Sequence, residues 1–230
     1  MGNQAINQSL LNIYHQLMAH YGQQYWWPAP KPFEIIVGAI LTQSAAWLNV
    51  EKAIANLKAA KALSPEALRR LPLAQVAGLI HPCGYYNAKA LKLKSLAHWL
   101  GEYYDDDLDK LFAHNTDTLR QQLLAIHGIG LETADSIVLY AASKPVFVID
   151  AYTRRIINRI GLAPNSNSYA AYQSLFMDNL PTDVGLFNEY HALLVRLAKD
   201  VCRNRPLCPR CCLNNLCHYH FNLDAGSKDS

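Results

Sequence analysis

Near the end of the chain, Cys202, Cys208, Cys211 and Cys217 follow one another as C-x5-C-x2-C-x5-C. Four thiolates so close in sequence can close a tetrahedral site around zinc or hold an iron–sulfur cluster. The spacing matches neither the common ferredoxin runs nor the paired C-x2-C of a zinc ribbon, so it leaves the metal open. A disulfide cluster is the competing reading and needs an oxidising compartment. Met1 to Leu10 is polar, however, and lacks the charged and then apolar segments of an export signal. The expectation is a chain kept in a reducing cytosol, with cysteines that ligate metal. Cys83 and Cys212 lie outside the pattern. Cys212 rivals Cys211 as a ligand, but only Cys211 gives the C-x2-C pair; Cys83 reads as a small buried apolar residue.

A second group lies upstream. His127-Gly128-Ile129-Gly130 separates two segments of helical apolar pattern. Its glycines permit left-handed dihedrals and close approach of the backbone to another molecule. Successive N–H groups in such a turn, beside a helix N-terminus, form a nest for phosphate oxygens. Taken alone, such a turn usually does no more than join helices. Asp150 follows the apolar run Val146-Phe147-Val148-Ile149 and opens the next helix. An aspartate there is by default an N-cap. Beside a reacting centre it can instead stabilise developing positive charge or orient a water. Trp26, Trp27 and Trp47 are by default packing residues, or else the flat walls of an aromatic pocket.

The elements that must position these groups read as almost wholly helical. Apolar residues recur on one face of 6–21, and helical patterns follow over 33–41, 50–63, 74–80, 87–104 and 116–126. Further helices are expected over 132–142, 151–160, 169–179 and 184–201. Ser64-Pro65-Glu66 is an N-cap with proline at the first helical position. The segment 145–149 has strand character but no partner strand, and reads as a buried extended connection. Asp105-Asp106-Asp107 reads as a solvated turn. The 230 residues carry 21 basic and 18 acidic side chains, net +3 with nine histidines neutral. At 51% apolar and 17% charged residues the chain is globular, and no apolar run approaches a membrane span. That charge is compatible with nucleic acid but does not demand it.

Taken together, the hairpin, the extended V-F-V-I, Asp150 and the four-cysteine run resemble the helix-hairpin-helix DNA glycosylases of the endonuclease III type. The resemblance covers nearly the whole chain. It implies an all-α fold of two helical lobes with a central DNA-binding cleft. One lobe would span 25–144 and carry the hairpin; the other would join 1–24 to 145–230 and carry Asp150 and the cysteine loop. It further implies a [4Fe–4S] cluster on Cys202, Cys208, Cys211 and Cys217, with zinc as the lesser alternative. The first cysteine gap is one residue shorter than endonuclease III commonly has. Leu41-Thr42-Gln43 is similar to the family segment whose glutamine fills the space left by a flipped base. His127, Gly128, Ile129 and Gly130 would grip the DNA backbone.

Tyr25-Trp26-Trp27-Pro28, 38–43 (GAILTQ) and 130–135 (GLETAD) resemble the bacterial 3-methyladenine DNA glycosylases built on that fold. By that resemblance Trp26, Trp27, Pro28 and Trp47 line the base pocket, with Lys199 and Glu132 beside it. Glu132 occupies the place of the endonuclease III lysine whose amine forms a Schiff base, and a carboxylate forms no imine. The expectation is a monofunctional N-glycosylase in which Asp150 assists water attack on a flipped, alkylated base in double-stranded DNA. The protein is expected to be a monomer associated with the nucleoid in the cytoplasm, and away from membranes. Three alternatives compete: a glycosylase/lyase for oxidised pyrimidines, a catalytically silent lesion-binding iron–sulfur protein, and an electron carrier.

Overall fold

The computed structural model describes residues 3–27 and 31–226. In chain order its α-helices are α1 (Asn3–Tyr21), α2 (Pro32–Leu41), α3 (Trp47–Ala59), α4 (Pro65–Arg70), α5 (Leu73–Leu79), α6 (Tyr86–Tyr104) and α7 (Leu108–Phe112). They continue as α8 (Thr116–Leu124), α9 (Leu131–Ser136), α10 (Ala151–Ile160), α11 (Tyr169–Met177), α12 (Val184–Asp200) and α13 (His218–Gly226). No strand occurs among the described residues, and the fold is all-α. Residues 145–149 run as the buried extended connection the sequence suggests, with Val146, Phe147, Val148 and Ile149 all inside. No helix among the described residues is long and apolar enough to cross a membrane.

Two compact units divide the chain, one of residues 27–144 and the other of residues 1–26 with 145–230. In the 27–144 unit, α6 packs against α2, α4 and α5. Leu93, Leu96 and Leu100 of α6 are fully buried. The sequence reads Asp105–Asp107 as a solvated turn, but all three carboxylates have partners, Asp105 pairing at the surface with Lys110 Nζ at 3.2 Å. Asp106 takes both Arg69 Nη1 and Nη2, at 2.5 and 2.6 Å. Asp107 caps the short α7 through the Asp109 and Lys110 N–H groups. Buried Lys89 sends its ammonium to the carbonyls of Leu41 and Cys83, 2.9 Å from each, and so ties off the C-terminus of α2. After α9 the chain widens into a π-helical turn over Ile137–Ala141, closed by the Ala142 N–H on the Ile137 carbonyl.

In the other unit α12 is the central element. It packs on α1 and α10, and Phe187, Tyr190, Leu193 and Leu194 are buried. Phe147 from the extended connection stacks on Phe176 with ring centroids 3.9 Å apart and meets Phe187 edge-on. This aromatic cluster anchors the segment that delivers Asp150 to the start of α10.

Candidate active site

Asp150 is the N-cap of α10. Its Oδ1 accepts the Thr153 N–H at 2.7 Å. Its other oxygen, Oδ2, stands 3.7 Å from Nε2 of His191 on α12, and the two side chains are only 12% and 8% exposed. Burial pushes the carboxyl's pKa up, but the His191 imidazole and the Thr153 donors outweigh it and leave the pKa below its ordinary value. The residue is therefore both a helix cap and a largely enclosed carboxylate whose surroundings favour the charged form. Lys199 lies two turns beyond His191 on α12, with Nζ 5.6 Å from the centroid of the Trp26 ring. It is exposed, yet partial desolvation of its amine lowers its pKa against the pull of Asp150 and Asp200. Asp150, His191, Lys199 and Trp26 thus belong to one unit. His191 had no place in the sequence reading.

Trp27 and Trp47 belong to the 27–144 unit and meet edge to face with centroids 5.2 Å apart; Tyr140 lies 5.4 Å from Trp27. Trp27 lies directly on Gly38, where an added Cβ would come within 2.8 Å of the indole. Trp47 begins α3 and donates its indole N–H to Glu51 at 2.8 Å. These two rings border an open pocket of about 240 Å³ that also includes Glu34, Glu51 and Lys58. Lys58 is paired with Glu34 at 2.7 Å. Pro28, assigned to the base pocket from sequence, lies outside the described residues.

The hairpin joins α8 to α9. A buried ion pair holds its two helices together: Asp135, fully buried, takes Arg120 Nε at 2.5 Å and Nη2 at 3.2 Å. Within the turn Ile129 is buried and His127 exposed. The two glycines differ. Gly128 takes φ +82, where glycine alone is comfortable. Gly130 is extended at φ −94, ψ −178, and serves as the N-cap of α9 with no side-chain cap. Glu132 is exposed in the first turn of α9. Gln43 is half-buried after the end of α2, and its amide reaches the hairpin at the Gly128 carbonyl and at Thr133 Oγ1.

Cys202, Cys208, Cys211 and Cys217 line one small pocket with Arg159, Tyr219 and His220. The Cys211 thiol is pushed up to about 12, first by burial and further by Cys212, Cys202 and Cys217. Cys208 is raised by burial and by Cys217 and Cys202. Cys208 and Cys211 thus sense the charge of neighbouring cysteines, a repulsion that a bound cation relieves. Among the described residues, no three His, Cys, Asp or Glu side chains are close enough to hold a metal ion. Two arginines of α10 fasten the loop. Arg155 donates to the Cys202 carbonyl at 2.9 Å, and Arg159 to the Arg203 carbonyl at 2.6 Å and to Cys202 Sγ at 3.3 Å. One helix therefore carries Asp150 at its start and holds the cysteine loop through Arg155 and Arg159.

An all-α frame with a glycine-turned hairpin, followed in sequence by an aspartate that caps the next helix, is the arrangement of a helix-hairpin-helix protein. Residues 37–182 match the family described as HhH-GPD superfamily base excision DNA repair protein, and the chain belongs to that family. It is a DNA repair glycosylase by family. A Methanocaldococcus jannaschii protein named "Putative DNA repair glycosylase MJ1434" is 41% identical over 210 residues, 90% of this chain and 95% of its own. Endonuclease III of Sulfolobus acidocaldarius is 28% identical over 192 residues, 83% of each chain. A non-covalent endonuclease III–DNA complex shares the fold at TM-score 0.82 and 21% identity, covering 95% of this chain and 98% of that one. The H. pylori 3-methyladenine DNA glycosylase MagIII, bound to 1,N6-ethenoadenine, shares it at TM-score 0.69 and 24% identity, covering 86% and 98%.

Proposed function

We propose that this chain is a monofunctional DNA N-glycosylase that flips a damaged base out of duplex DNA and releases it to water, leaving an abasic site. The observation that carries the reading is the placing of Asp150, only 12% exposed, with one carboxylate oxygen on the Thr153 N–H and the other 3.7 Å from His191 Nε2. A fixed negative charge in a water-poor site stabilises positive charge growing on the sugar and orients the attacking water. Water oxygen bonds to the anomeric carbon and passes its proton to Asp150 and on to solvent, while the glycosidic bond breaks and its electron pair leaves with the base. Extrusion costs a few kcal/mol of stacking, and Gln43 fills the hole. The hairpin backbone binds phosphates through its N–H groups.

The substrate class is a cationic alkylpurine, with 3-methyladenine as the leading candidate. Such a base departs neutral and needs little acid catalysis. Aromatic faces attract a cation by about 0.5–2 kcal/mol, and Trp26, Trp27 and Trp47 supply those faces. The fold-neighbour from H. pylori is named for 3-methyladenine, which supports the same class. Glu132 stands in the hairpin helix where an imine-forming amine is required for strand cleavage. A second reading, a glycosylase/lyase, is favoured by one feature: Lys199 has a lowered pKa and lies within the field of Asp150.

The cysteine loop holds a [4Fe–4S] cluster in this reading. A cubane spreads its four thiolates more widely than the tetrahedron around one zinc ion, where each Zn–S bond is about 2.3 Å. All four candidate ligands line one small pocket, which supports a shared centre without choosing between the two. When bound, the cluster supplies the metal bonds that close the loop after α12. The test of the reading is base release from duplexes that each carry one alkylated, oxidised or deaminated base. Release of alkylpurines, with oxidised pyrimidines and uracil left intact, is expected. The opposite pattern restores an endonuclease III range.

A further inference from the structure

Three neighbours fix the amide of Gln43. Lys92 Nζ, on α6, donates to Oε1 at 2.5 Å. Nε2 donates to the Gly128 carbonyl at 3.2 Å and to Thr133 Oγ1 at 2.9 Å. An ammonium can only donate and a carbonyl can only accept, so the amide has one orientation. With both N–H groups engaged, what Gln43 still offers is the second lone pair of Oε1.

The contact is packed as well as polar. A side chain added at Gly128 would overlap Cγ, Cδ and Cε of Lys92, so the lysine stem lies flat on the hairpin's left-handed glycine. One turn earlier on α6, Lys89 ties the Leu41 carbonyl, two residues before Gln43. Helix α6 therefore holds the end of α2 with one lysine and the Gln43 amide with the next.

We propose that Lys92 is a positioning residue for Gln43. It presents the side chain as a hydrogen-bond acceptor and locks it to the hairpin, so the phosphate grip and the hole-filling residue act as one body. The inference rests on the reading of Gln43 as that hole-filling residue. A hole exists only where a complementary strand remains stacked around it. Lys92 should therefore matter for duplex DNA and not for a single strand carrying the same lesion.

The experiment measures affinity of the full chain for a tetrahydrofuran abasic analogue in a duplex and in the corresponding single strand, at one salt concentration. Fluorescence of 2-aminopurine placed opposite the analogue serves as a second readout. Gln43→Ala is expected to lower the duplex-to-single-strand preference roughly tenfold, the scale of one charge-assisted hydrogen bond. Lys92→Met should lower it equally, and the double variant no further. The 2-aminopurine signal should change in parallel in both single variants. Should Lys92→Met not fold, Lys92→Leu, which keeps an apolar stem over Gly128 and has no donor, reads the same ratio. A normal preference in the Lys92 variant beside a reduced one in Gln43→Ala overturns the proposal alone. Equal loss on duplex and single strand makes Lys92 a phosphate contact and also overturns it. An unchanged preference in Gln43→Ala removes the hole-filling reading, and this proposal with it.

Discussion

His191 Nε2 stands 3.7 Å from Asp150 Oδ2, while the other carboxylate oxygen is taken by the Thr153 N–H. The pair is a full ion pair only when the imidazole is protonated. Its effect on Asp150 has a definite sign. A carboxyl whose folded pKa is depressed contributes stability above its unfolded pKa and loses it as pH falls through the folded value. Asp150 should thus stay charged below the usual carboxylate range, and excision should persist there. Replacing His191 by Leu leaves burial as the dominant influence. The acid limb of single-turnover excision should then move to higher pH, with duplex affinity little changed. An unmoved acid limb would detach His191 from the carboxylate.

Asp150→Asn keeps the side-chain shape and part of the capping ability, but removes the charge that the proposed mechanism places beside the transition state. Loss of a few kcal/mol at that step slows base release by roughly two to three orders of magnitude. Binding to damaged duplex should be equal or tighter. Undiminished release by the Asn variant would reduce Asp150 to a helix cap.

Borohydride should trap no covalent complex with the wild type, because exposed Glu132 offers no amine at the hairpin helix. Strands should break at the abasic product only after alkali or heat. If an adduct forms, Lys199→Met identifies the source: loss of trapping in that variant names Lys199 as the nucleophile.

The cysteine loop should give brown protein when purified without oxygen, with about four iron per chain. Arg159 donates to Cys202 Sγ and to the carbonyls of Arg203 and Asn204. Arg159→Met should therefore lower iron retention during dialysis against chelator, with α10 still folded by circular dichroism. One zinc per colourless chain would overturn the cluster and leave the fold untouched.

What was legible in the sequence follows the range of the interactions involved. Helix α10 runs from Ala151 to Ile160 as its pattern predicts, because Asp150 and Gly161 are local cap signals. The start of α3 is earlier than the pattern suggests: Ala46 caps Trp47 without a side-chain bond, and so leaves no mark in the sequence. Asp106 looks like a surface charge until the fold brings Arg69 to it. His191 and Lys92 escaped notice for the same reason. Each acquires meaning only from a partner brought to it by the fold, Asp150 for one and Gln43 for the other. The roughly two-turn spacing of His191 and Lys199 on one helix was the available hint.

The two hairpin glycines, equivalent in sequence, should separate on mutation. At Gly128 a side chain faces φ +82 and the stem of Lys92. Left-handed backbone alone costs about 1–2 kcal/mol for a non-glycine residue, and displacement of Lys92 adds to it. At Gly130 the backbone is extended and an added Cβ meets nothing within 4 Å. Replacing glycine by alanine at a helix N-cap costs under about 1 kcal/mol. Gly128→Ala should therefore lower the unfolding midpoint more than Gly130→Ala. It should also weaken binding to damaged and intact duplex alike, since phosphate contacts position without reading bases. Equal thermal shifts in the two variants would mean that the turn relaxes around a side chain at 128. Gly128 would then have no special place in the grip.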